Sequence, residues 1–99
     1  MIVQHNVWFK AQQLRSRAVG LKLAAAFNLC SMAKNALDLG QVQKARAAIE
    51  NARHTSQGVR AHLQVPNHVP VDAVADIRDQ LVVVESLLCR LEARLPGNC

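Results

Sequence analysis

The sequence predicts an all-α protein, an antiparallel three-helix bundle with a long first helix and coiled-coil-like packing. Three observations carry this. Three segments repeat their apolar residues in alternating steps of three and four, the spacing of one helix face. Gly40 separates the first from the second, and Pro66 and Pro70 separate the second from the third. The 99 residues are 51% apolar but hold only Trp8, Phe9 and Phe27 as aromatics. A core of small and medium aliphatics suits close helix packing better than strands, which favour β-branched and aromatic residues. The length allows one core, so residues 1–99 are read as a single helical domain.

Helix 1 is expected over about residues 4–39, since no proline interrupts the chain before Gly40. Its first half carries a narrow stripe of Val3, Val7, Ala11 and Leu14. Its second half carries a seam of Val19, Leu23, Ala26, Cys30, Ala33 and Leu37, flanked by Leu21, Ala25, Met32 and Leu39. Stripe and seam are read as one register running through Gly20, where the helix either continues or bends. So broad an apolar surface calls for two covering neighbours, leaving only the side with Asn28, Ser31, Asn35 and Asp38 wet.

Helix 2, about 41–63, has the seam Val42, Ala45, Ile49, Ala52, Ser56, Val59 and Leu63. Helix 3, about 72–95, has the seam Val74, Ile77, Leu81, Val84, Leu88, Leu91 and Leu95. Asp72 and Asp76 near its start and Arg90 and Arg94 near its end match the helix dipole. Short connections make the order up, down, up. Running back from Gly40, helix 2 reaches to roughly Arg17 and leaves about 15 residues of helix 1, some 20 Å, uncovered. That overhang, with Val3, Val7, Trp8, Ala11 and Leu14, is the candidate partner-binding surface, and a homodimer or a protein partner is the expected occupant.

The net charge of +5 is uneven. Residues 1–39 carry five basic groups against Asp38, residues 40–63 four against Glu50, and residues 64–99 three against five acids. A basic front and an acidic rear can attract each other as readily as they attract partners. Arg46, Arg53 and Arg60 form a row seven residues apart that flanks the helix 2 seam, as Arg78, Glu85 and Glu92 flank that of helix 3. With Leu63 level with Val74, Arg46 is expected to pair with Glu92 and Arg53 with Glu85, and Arg60 to meet Arg78. Lys10, Arg17 and Arg60 then remain as a basic patch, and binding of nucleic acid or an acidic partner through helices 1 and 2 is the alternative function. Nucleic acid is the less favoured partner, because base-stacking aromatics and a helix-turn-helix pattern are both lacking.

The stretch His54-Thr-Ser-Gln-Gly58 resembles the H-x-x-K-G core of histidine phosphotransfer domains, small helical bundles. The resemblance implies His54 as phosphoacceptor and Gly58 as the gap that clears its approach, with Gln57 in place of the lysine. Leu29 to Ala52, with Ala33, Gly40, Ala45, Ile49 and Ala52, resembles a single tetratricopeptide-repeat hairpin, which implies a partner-binding role.

Cys30, Cys89 and Cys99 are odd in number and widely spaced, as expected of free thiols in a reducing compartment. Lys22 and Asn28 break the apolar run that follows Arg17, so neither a signal peptide nor a membrane span is expected, and a cytoplasmic protein is. Among the histidines only His62 and His68 come near each other in sequence, and no cysteine joins them, so no metal, cofactor or small-molecule substrate is expected. With no catalytic residue evident, the reading is a small interaction or scaffolding protein, not an enzyme, that self-associates through helix 1.

Overall fold

The computed structural model describes residues 2–66 and 68–97, with side chains described from Lys10 onward. Among the described residues three helices, α1 (Ile2–Asp38), α2 (Val42–Gln64) and α3 (Val71–Ala93), all pack on one another and no strand occurs. This is the all-α three-helix bundle expected, with each helix end within two residues of its expected place. α1 runs unbroken through Gly20 for 37 residues, about 55 Å at 1.5 Å per residue, and it sets the long dimension of a 59 × 19 × 15 Å molecule.

α1 ends in a Schellman motif: Gln41 N–H donates to Ala36 O at 2.8 Å and Gly40 N–H to Leu37 O at 3.1 Å. Gly40 takes φ 75°, a left-handed conformation that a side chain would strain. The chain is thereby turned back within the three residues Leu39, Gly40 and Gln41, and α2 lies antiparallel against α1. Ala26, Ala33, Ala45 and Ala52 are completely buried, so small side chains set how closely α1 and α2 approach. α3 closes the core with Ile77, Leu81, Val84, Leu88 and Leu91. Ser56, on the α2 seam, is buried with its Oγ donating to Arg53 O at 2.9 Å, so the helix's own carbonyl satisfies the hydroxyl.

The α2–α3 connection departs from expectation. It does not merely span a gap: it runs on past the end of α2 and packs against α1. Val69 is buried, and Arg15 Nε donates to His68 O at 2.6 Å. Gln12 and Val19 are buried as well. Cover on α1 therefore reaches back to about Gln12, more than a turn beyond Arg17, and shortens the uncovered end.

Candidate functional site

Two features of α1 correct the expected placement of its apolar residues. Its buried row is Gln12, Val19, Leu23, Ala26, Cys30 and Ala33, and Gln12 is the heptad predecessor of Val19. Leu14 is 63% exposed and does not lie on that row. Five residues from Leu14 to Val19 turn the helix by about 140°, so the stripe and the seam occupy different faces. The stripe leads instead through Ala18 into Leu21, Ala25, Met32 and Leu39. Leu21, Met32 and Leu39 are 68%, 60% and 73% exposed. These residues were expected to flank the core under two neighbours, but α2 and α3 both sit on the other half of the helix.

α1 thus carries two seams on nearly opposite sides. The inner one builds the core. The outer one alternates steps of three and four through Ala11, Leu14, Ala18, Leu21, Ala25, Asn28, Met32, Asn35 and Leu39. Of the expected partner-binding residues, Ala11 is half-buried and Leu14 exposed, and the side chains of Val3, Val7 and Trp8 lie outside the described residues. Leu21, Met32 and Leu39 are exposed on the same face as Leu14. Their spacing was legible in the sequence; what sequence reasoning missed was that a core face and a free face could share one helix. At the Gly40 end the outer seam borders a groove whose far wall is Lys44 and Ala48 of α2.

The expected basic patch does not assemble. Lys10 and Arg17 are exposed on the α1 face turned away from the bundle, one heptad apart beside the outer seam. Arg60 points across to α3, where its Nη2 donates to Glu85 Oε1 at 2.5 Å and its Nε to Oε2 at 3.2 Å. Arg53 pairs with Glu92 rather than Glu85. Both expected pairings are therefore displaced by one heptad. The reason is the α2–α3 connection: by running on along α1 it starts α3 lower, so each arginine meets the acid one heptad further along. Arg46 lines a shallow groove with Arg53 and Glu92.

His54 and Gly58 are both exposed, and a Cβ added at Gly58 would meet nothing within 4 Å. The phosphotransfer resemblance thus has an open histidine. Its lysine position is Gln57, also exposed. Cys30 is buried on the inner seam, where desolvation pushes its thiol up from the usual range and Arg53 opposes only in part. Such a thiol behaves as a small hydrophobe. Cys89 is free and exposed.

His62 and His68 form the one histidine pair among the described residues. The rings stack with centroids 4.9 Å apart, and His62 Nδ1 lies 3.0 Å from His68 Nε2. Lys22 Nζ lies 3.2 Å from His62 Nε2. An ammonium has only donors, so His62 Nε2 must accept and its proton sits on Nδ1, donating to His68 Nε2. Desolvation, then Lys22 and His68, push His62 below its ordinary range. Among the described residues no group of three or more His, Cys, Asp and Glu side chains could hold a metal ion, and no helix is long and apolar enough to cross a membrane. Comparison with protein-family models, with curated proteins and with solved structures finds no match to this chain.

Proposed function

We propose that this protein is a helical interaction module that self-associates, two copies meeting through the outer seam of α1 with their α1 helices antiparallel. One observation carries the reading: Leu14, Leu21, Met32 and Leu39 stand in heptad-compatible register on the α1 face that α2 and α3 leave open. A sustained apolar seam with no intramolecular partner is the pattern of a helix that packs on another helix. Alternation of Ala18 and Ala25 with Leu21 suits close approach of two such helices, a leucine of one filling the space above an alanine of the other.

Charge selects the direction. Lys10, Arg15, Arg17 and Lys22 crowd the first part of α1, whereas from Leu23 to Leu39 the charged residues are Lys34 and Asp38. A parallel pair would place Lys10 and Arg17, which lie beside the outer seam, next to the same two cations of the other copy. An antiparallel pair lays each basic half along a half of zero net charge. Asn28 and Asn35 on the same seam then oppose small residues, Ala18 and Ala11, and help set the register.

Sedimentation equilibrium on the wild type and on Leu21→Glu tests the proposal. The wild type should be dimeric at micromolar concentration and the variant monomeric, with helicity unchanged because Leu21 contributes nothing to the core. A strictly monomeric wild type, or a variant that still dimerises, overturns it.

A further inference from the structure

On the side of the bundle away from that seam, α1 and α3 leave a groove of about 350 Å³. Its floor is apolar: Phe27 and Cys30 from α1, Leu87 and Leu91 from α3. Cys30 and Leu91 are buried, while Phe27 and Leu87 are half-buried and pack on the core from above. The rim is cationic, with Lys34 from α1, Arg90 from α3 and Arg94, the residue that caps the end of α3. The volume falls at the lower end of small-ligand sites, and an apolar floor with a few convergent polar groups is the composition such sites have.

The rim already holds one carboxylate. Asp38 accepts from Arg94 Nη2 at 2.8 Å and from Lys34 Nζ at 3.2 Å. These bonds hold its carboxyl below the usual range. Arg90 lies one helical turn before Arg94 on the same face of α3, and no hydrogen bond or ion pair joins it to any described residue. The groove therefore presents a vacant planar donor above an apolar trough, beside two cations that only one acid neutralises. A guanidinium in this position matches a carboxylate in bidentate fashion.

We infer that the α1–α3 groove binds an anionic amphiphile, a medium-chain fatty carboxylate, with Arg90 on the carboxylate and the alkyl chain over Phe27, Leu87 and Leu91. The α1 of a second copy is a poor occupant, since its first half is as basic as the rim. The site is independent of the outer seam and lies on a different face of α1.

The test uses the full chain with methyl-labelled leucines, titrated with sodium decanoate below its micellar concentration, with decanol and with acetate. Decanoate should shift Leu87 and Leu91 saturably and spare Leu14 and Leu21. Decanol and acetate should each bind at least about tenfold more weakly, because each lacks one half of the recognition. Arg90→Gln should weaken decanoate about tenfold, the size of one lost charge-assisted hydrogen bond, and leave decanol unchanged. Equal binding of decanoate and decanol, an Arg90→Gln chain that binds decanoate as wild type does, or shifts confined to Leu14 and Leu21 would each overturn the assignment. Loss of the dimer in Arg90→Gln together with no decanoate binding would also overturn it, giving the groove to a second copy.

Discussion

Lys22, His62 and His68 show how much can depend on single atoms. The contact from the lysine to His62 Nε2, with His62 Nδ1 directed at His68 Nε2, requires the His62 imidazole to be neutral. Protonating His62 would turn its acceptor into a donor facing an ammonium. Its folded value lies below the ordinary 6.5, so as pH falls below that value the unfolded chain takes up the proton first. Folding stability is then full above that range and declines as pH falls through it. Urea unfolding compared between pH 8 and pH 5.5 should show lower stability in acid, and His62→Gln should flatten part of that slope. The sequence placed these two histidines near one loop; Lys22, 40 residues away, joins them only because α1 and α2 are antiparallel.

α1 gives the clearest lesson among the elements. Its existence, its length and its stop at Gly40 follow from local chemistry: no proline, a long apolar repeat, and a glycine where the chain must take φ 75°. Its continuity at Gly20 did not follow, because glycine is compatible with both a helix interior and a bend. In the structure Gly20 is helical and exposed, and a Cβ there would meet nothing within 4 Å. Gly20→Ala should therefore stabilise the protein by roughly 0.5–1 kcal/mol, the backbone entropy that glycine loses in a helix. A thermal melt showing a lower midpoint would mean that the position bends. The two faces of α1 were harder to separate. Alternating steps of three and four describe both seams, and only the positions of α2 and α3 decide which of them becomes core.

At the scale of the whole molecule the decisive quantity is register. Three helices with clean apolar seams can slide by one heptad and still bury those seams, so the seams alone leave the arginine pairs undetermined. The 65–70 connection decides it, through the buried Val69 and the Arg15 bond to His68 O. Double-mutant cycles read this register directly. Arg60 with Glu85 should show a small favourable coupling that weakens as salt is added, as solvent-exposed pairs do. Arg53 with Glu92 should couple similarly, and Arg53 with Glu85 not at all; coupling in that last pair would restore the register in which Leu63 is level with Val74.

Helix class, helix number, the turn at Gly40 and the apolar repeats were determined by the sequence alone, since each rests on residues within a few turns of one another. Only the tertiary structure decided which α1 face is core, which acids the arginines meet and where the cationic groove opens. Those depend on how far one connection carries α3 along α1, a distance set by packing between residues more than 50 positions apart.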